Sequence, residues 1–335
     1  MVPPLPEGEG IKNCSSVHLM LDTVSLTLTA GFVLDFLFGD PRWLPHPVRL
    51  IGRLVSWAEP RCRQLIAHEY LAGAVFAFAV VTATGASVWC IIWILQQIHA
   101  LLAGLGTVYF MYAGLAAGDL AQEATAVWRK LREEDIDLAR QQLSRIVGRD
   151  TQQLDAPEIV RATVETVAES TVDGVLAPII FAALAGAPGL WAYKAINTLD
   201  SMVGHREEPY TRFGWAAARL DDVANFVPAR LGWFLFGIGT WVTGGDPGRC
   251  WRIGWRDGAK HPSPNAGISE AAMAGALGVR LGGTNSYDGV IYVQPYLGDA
   301  LRPLDIACIP QAVRVMYVTS TAGLVLCLGI RVMVH

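Results

Sequence analysis

Leu71–Leu95 is a run of 25 apolar or small residues without a single charged side chain. As a helix rising 1.5 Å per residue it would be about 37 Å long. A bilayer core needs about 20 such residues. A helix apolar on every face has no wet side to offer, so it belongs in a membrane or deep inside a large protein. The composition chooses the membrane. Of the 335 residues, 52% are hydrophobic, only 17% are charged and 11 are Trp, and the mean hydropathy is +0.35. Soluble domains carry about a quarter charged residues. A net charge of −4, with no basic patch interleaved with aromatics, excludes a nucleic-acid partner.

The remaining apolar stretches predict an all-α, polytopic integral membrane protein with about four to six membrane helices. Thr23–Gly39 is a short first helix with Asp35 inside it. Ile98–Gly118 follows Leu71–Leu95 closely enough to form a hairpin with it, and Ala312–Val334 is the last span. Val172–Lys194 is interrupted by Pro178 and by G-A-P-G at 186–189, so it is a candidate for a broken or re-entrant helix. Val227–Gly244 is a further apolar stretch. Between these lie a polar helical insert at about 119–165 and a polar region at about 245–310. In the latter, Ser269–Leu281 reads as a closely packed helix, and strand-like alternation is confined to about Gly289–Pro295. The P-P-L-P-E-G-E-G start makes 1–22 a disordered tail without signal-peptide character, ahead of one membrane-embedded domain at 23–335.

Orientation is harder to assign. Arg42–Arg63 holds five arginines and Arg129–Arg161 seven basic residues, whereas Gln96–His99 holds no Lys or Arg. The positive-inside rule puts the first two loops in the cytoplasm. If every later stretch crossed, the basic Lys194–Arg219 segment would face outside, and a re-entrant Val172–Lys194 would avoid this. Cys14, Cys62, Cys90, Cys250, Cys308 and Cys327 form no C-x-x-C pair, which argues neither a zinc site nor a disulfide framework.

Ionisable residues concentrate where burial makes them costly. Glu165, Glu169 and Asp173 are spaced four apart and share one helix face; they repel unless a cation sits among them. Lys194, Asn197, Asp200, His205 and Arg206 follow, then Asp221-Asp222. Such a cluster is a functional-site hypothesis by default. The plainer alternatives are acids on a wet interfacial face and an Asp-Asp helix cap. A further loop holds Asp40, Arg42 and His46 among three prolines; its plainer reading is a positive juxtamembrane loop. Carboxylates mixed with Lys, Arg and Asn suit phosphate chemistry: the acids hold Mg²⁺ and the cations offset phosphoryl charge. Asp173, Asp200, Asp221 and Asp222 are candidate metal ligands. Lys194, Arg206, Arg212, Lys260 and Arg42 are candidate anion clamps, and His205 and His261 candidate acids or bases. No G-x-x-x-x-G-K-[ST] is present, so a bound ATP would not use a P-loop.

Six stretches carry a family resemblance. They are D-F-L-F-G-D-P-R-W-L-P-H-P-V-R-L-I-G, G-D-L, V-A-E-S-T-V-D-G-V-L-A-P, Y-K-A-I-N-T-L-D-S-M-V-G-H-R, F-G-W-A-A-A-R-L-D-D-V-A-N-F-V-P-A-R-L and D-G-A-K-H-P-S-P-N-A-G. In this order, from Asp35 to about Gly283, they resemble the adenosylcobinamide-phosphate synthase family of cobalamin biosynthesis. The resemblance implies an ATP-dependent carbon–nitrogen ligase. It would join (R)-1-amino-2-propanol, free or as its O-phosphate, to a propionate carboxylate of adenosylcobyric acid. ATP and Mg²⁺ are the implied cofactors, the corrinoid is a substrate, and an acyl phosphate is the implied intermediate. It also implies a multi-pass protein of the cell membrane with a cytoplasmic active site, alone, as a homo-oligomer or beside later enzymes of the pathway.

Chemistry assigns roles onto the matching positions. Asp200, Asp221 and Asp222 would position Mg²⁺–ATP. Lys194, Arg206 and Lys260 would contact phosphate, and Glu169, Asp173 or His205 would be the base. Asp40, Arg42, His46, Asn197, His261 and Asn265 complete the expected substrate- and phosphate-binding set. Trp43, Trp215 and Tyr210 offer flat surface to a macrocycle, or interface anchors. Two other classes compete: another Mg²⁺-dependent membrane transferase, and a non-catalytic sensor or transporter with a broken helix.

Overall fold

A computed structural model describes residues 10–41, 46–205 and 207–334, with side chains from residue 23 onward. In chain order the elements are α1 (Gly10–Phe38), α2 (Pro47–Leu65), α3 (Glu69–Ile98), α4 (Ala100–Gly114), α5 (Ala117–Arg132), α6 (Ile136–Leu143) and α7 (Ala156–Ser170). A π-helical turn, Thr171–Leu176, joins α7 to α8 (Ala177–Val203). Then come α9 (Trp215–Ala224), α10 (Phe226–Val242), α11 (Pro247–Asp257), α12 (Ala266–Leu277), β1 (Leu281–Tyr287), β2 (Val290–Leu297) and α13 (Cys308–Val334).

The protein is an all-α polytopic membrane protein, as its composition requires. Among the described residues, four helical stretches are long and apolar enough to cross a membrane: Glu69–Ile98, Ala100–Arg132, Ala156–Val203 and Cys308–Val334; Thr23–Phe38 and Phe226–Val242 are shorter apolar helices. Tryptophans such as Trp89 and Trp93 stand outward on α3, where only a lipid surface makes them inexpensive.

The third stretch is two arms rather than one rod. Ala185 and Gly186 leave helical geometry (Gly186 φ 66°, ψ −160°), and Phe181 stacks on Tyr193 with ring centroids 5.0 Å apart. A straight helix would separate those residues by about 18 Å, so the chain doubles back at G-A-P-G. Gly189 permits the closeness: a Cβ there would lie 2.6 Å from Ala185 Cβ and 2.7 Å from Phe181 O. The break expected from the prolines and glycines at 178–189 is therefore present in the chain path. Arg331 near the end of α13 donates to Ala183 O at the tip of this hairpin.

Two apolar cores flank the hairpin. One is built by α1–α4 and the second arm, with Phe76, Met111, Trp191 and Phe213 buried. The other gathers α5–α7, α10–α12 and the first half of α13 around Val127, Ile159, Phe236, Met273 and Met316. Interlocked indoles hold α10 to α11: Trp251 Nε1 donates to Phe234 O and Trp233 Nε1 to Trp251 O, both at 3.1 Å.

Three local expectations need correction. Residues 1–9 of the expected tail lie outside the described residues, but the backbone from Gly10 is helical. No proline falls between Gly10 and Phe38, and Leu19, Met20 and Leu21 favour helix. The small-residue helix runs Ala266–Leu277 and stops at Gly278. The polar region also contains two strands rather than one. β1 pairs antiparallel with β2 (Thr284 with Val293, Asn285 with Tyr292) through an Asp288-Gly289 turn with both φ positive, the type I′ geometry. L-G-G-T-N-S-Y shows no apolar alternation, so β1 was invisible in the pattern.

Candidate functional site

α7 starts cleanly. Asp155 Oδ1 accepts from Glu158 N (2.9 Å) and Glu158 Oε2 from Asp155 N (3.2 Å), a capping box, while Ile159, Val164 and Val167 bury its apolar face. The three spaced acids then meet three different environments. Glu165 is buried and neutralised: Arg149 Nη2 lies 2.7 Å from Oε2, Arg161 Nη1 3.7 Å from Oε1, and Gly282 N donates to Oε1 at 2.8 Å. This is the cation that the acid spacing demanded. Glu169, one turn on, is surrounded by protein yet open to solvent, as at the floor of a cleft. Asp173 sits half-buried in the π turn, a distortion that recurs at functional sites.

The returning arm brings Tyr193, Lys194, Asn197 and Asp200 opposite these acids. Asp173 lies in the fields of Asp221, Glu169, Asp200 and Lys194, and Lys194 in those of Asp173 and Asp35. α9 supplies the third wall. Asp221 and Asp222 lie in its last turn, so they are not an N-terminal cap; the plainer expectation for the pair fails. Asn225 binds Asp221 Oδ2 through Nδ2 (3.0 Å) and accepts from Tyr193 Oη (2.8 Å), and Asn197 also bonds Asp221. Asp221 Oδ1 stays buried without a partner. Burial, and secondarily the nearby Asp200 carboxylate, push the Asp221 carboxyl up to about 7. Asp222 keeps one oxygen 3.0 Å from Arg219. Its carbonyl accepts from Asn265 Nδ2 (2.8 Å), while Asn265 Oδ1 accepts from Arg230 Nη1 (2.9 Å).

At the near rim Asp40 and His46 pair at 3.6 Å, with Lys194 acting on His46 from below; burial holds that imidazole under its ordinary value. Asp35 accepts from Ala117 N (2.9 Å) and Gly118 N (3.3 Å), which fixes the start of α5 beside Lys194.

Of the expected residues, Glu169, Asp173, Lys194, Asn197, Asp200, Asp221 and Asp222 thus share one cluster, with Asn265 tied to its edge and Asp40 and His46 at its rim. Lys260 is instead 2.6 Å from Asp257, His261 faces Glu270 at 3.9 Å, and His205 packs edge-on against Tyr210. Trp215 is half-exposed against Tyr70. Arg42, Trp43 and Arg206 lie outside the described residues. Sequence reasoning did not select Arg149, Tyr193, Asn225 or Glu270 as site residues. Glu270 is buried in α12, with Oε2 unpartnered; a lone acid in S-E-A-A-M-A-G-A was the available signal.

Electrostatically the cleft suits a cation bound together with an anion. Among the described residues no three His, Cys, Asp or Glu side chains converge on a metal position, so Asp200, Asp221 and Asp222 share the cluster without forming an all-protein cage. Mg²⁺ needs none, because it takes one or two carboxylates and completes its shell with water and substrate phosphates. The unpartnered Asp221 Oδ1 fits that role.

A family model described as CobD/Cbib protein matches residues 28–316. The chain belongs to the CobD/CbiB family. This is the family that the six motifs resembled. The family's cobalamin biosynthesis protein CbiB of Salmonella choleraesuis (strain SC-B67) is 46% identical over 304 residues, 90% of this chain and 95% of its own length. The family's CobD proteins of Klebsiella pneumoniae and Geobacter metallireducens are 44% and 46% identical, over 91% and 89% of this chain and 97% and 93% of theirs. No solved structure matches.

Proposed function

We propose that this CobD/CbiB protein is an adenosylcobinamide-phosphate synthase of cobalamin biosynthesis. It would ligate aminopropanol, free or O-phosphorylated, to a propionate of adenosylcobyric acid at the expense of ATP. The observation that carries the reading is the convergence of Glu169, Asp173, Lys194, Asp200, Asp221 and Asp222, from three separate motifs, on one solvent-reaching cleft. A propionate does not accept an amine directly, since oxide would have to leave. Its oxygen first attacks the γ-phosphorus of ATP, releasing ADP and leaving an acyl phosphate. The amine nitrogen then attacks the acyl carbon, phosphate departs with the C–O electron pair, and the nitrogen loses its proton.

The side chains fit this sequence. Asp221, with Asp200 and Asp222, would hold Mg²⁺, which supplies charge neutralisation between phosphate oxygens. Lys194 offsets charge on the phosphoryl group in flight. Glu169 and Asp173, on the floor, where the arginines pair with Glu165 instead, would accept the ammonium proton. Asn197 and Asn225 keep Asp221 in place. Arg149, Arg161 and Glu165 hold β1 against α7 and so shape the far wall.

The test is a coupled assay on purified protein with adenosylcobyric acid, Mg²⁺–ATP and either amine, read by the mass of the corrinoid product. A product heavier by one amide-linked aminopropanol unit, lost in a folded Asp200→Ala variant, is expected. No product with either amine, from protein that binds the corrinoid, would overturn the reading.

A further inference from the structure

At the opposite end of α10–α12 from the acidic cleft lies a cavity of about 350 Å³, lined among others by Thr243, Gly245, Arg249, Arg302, Gln311 and Arg314. α10 separates it from Asn225 by about 27 Å. Three arginines contribute to its wall and no carboxylate does. Two acids close in sequence to the lining residues cap backbone N–H groups: Asp246 Oδ1 accepts from Arg249 N (3.0 Å) and Asp305 Oδ1 from Ala307 N (2.9 Å). Arg249 also donates Nε to Gly275 O at 2.7 Å, which anchors that guanidinium at the end of α12. Arg302 is held through Nη2 by Gln311 and Cys308, yet its Nε is buried without a partner. Arg314, on α13, is exposed. A buried N–H left unsatisfied is unfavourable, and guanidinium groups that line one cavity repel one another until an anion joins them.

We propose that this cavity binds a phosphate group through Arg302 and Arg314, with Arg249 as a fixed third cation. Guanidinium matches phosphate oxygens two at a time, and basic pockets between helices hold lipid headgroups. The rim fits either source of phosphate: Trp241, Val242 and Leu301 stand exposed beside the arginines and would take acyl chains, while the cavity alone would take a soluble phosphate. The site is independent of the ligase reading, because none of its residues belongs to the acidic cluster.

The full chain, purified in detergent, is titrated with inorganic phosphate. In parallel it is placed in phosphatidylcholine nanodiscs with and without phosphatidylglycerol, and thermal unfolding is followed in both arms. Wild type should be stabilised in at least one arm, and Arg302→Gln/Arg314→Gln should bind that probe at least tenfold more weakly. Stabilisation by phosphate alone assigns a soluble ligand; stabilisation by phosphatidylglycerol alone assigns a lipid headgroup. Arg314→Gln, at an exposed position, serves if the double variant does not fold, with about threefold weakening expected. Wild type that responds to neither probe, or variants that respond as wild type does, would overturn the proposal.

Discussion

The two ends of the α10–α12 layer are electrostatic opposites. At the Asn225–Arg230 end, carboxylates outnumber cations and one buried oxygen of Asp221 lacks a partner. At the Thr243–Gly245 end, arginines line the wall and a buried Arg302 nitrogen lacks one. Deeper in the same core, Glu165 between Arg149 and Arg161 shows what a settled buried charge looks like. The lesson is that burial alone does not mark a ligand site. Residual unpaired charge next to open space does.

Breaking the settled pair should therefore hurt stability most. Arg149→Ala removes the closer cation from buried Glu165 and leaves Oε2 unpaired, with only Arg161 at 3.7 Å from Oε1, and loss of about 3 kcal/mol is expected, measured as a large drop in Tm. Glu165→Gln should cost less, because it keeps an acceptor for Gly282 N. In the open acidic cleft the balance reverses: Asp200→Asn should leave Tm near wild type but lower kcat by about 10²–10³-fold in the ligation assay. A large fall in Tm with unchanged kcat would remove the contrast.

The hairpin that brings the acids together can be tested at its turn. Gly186 occupies φ 66°, ψ −160°, a region open essentially to Gly alone, so Gly186→Ala should cost about 1–3 kcal/mol although the space around it is ample. Equal Tm values for variant and wild type would mean that the chain does not reverse there.

A smaller effect is expected at Asp257. Burial alone would raise its carboxyl, but hydrogen bonds from Arg256, Lys260 and Gly298 N hold it well below the usual carboxylate range. A depressed native value stabilises the fold above the unfolded value of about 3.9, and that contribution fades as pH falls towards the native value. Asp257→Asn should flatten the stability profile below about pH 4, and an unchanged acid limb would contradict the assignment.

Much of this was legible in the chain itself. Leu71–Leu95 fixed the solvent, the four-residue spacing of Glu165, Glu169 and Asp173 announced a charged helix face, and the motifs containing Lys194, Asp200 and Asp221 named the family and the main members of the cluster. G-A-P-G marked a break because Gly and Pro act locally. Lys260, His261 and His205 were grouped with the cluster because they stand in the family-like motifs; the partners the structure gives them are Asp257, Glu270 and Tyr210. β1 escaped because its order comes from Arg149 and Arg161, side chains more than 100 positions away in sequence.

The sequence by itself determined the membrane as solvent, the helical class, the family and the residue types at the cleft, because hydropathy, helical spacing and motif order are one-dimensional. Only the tertiary structure decided that the 171–203 segment turns back on itself, which acid is neutralised and which stays open, and that three arginines from separate elements share a cavity. Those outcomes depend on distances between residues far apart in the chain, and Coulomb energy and desolvation respond to distance and burial rather than to position in the sequence.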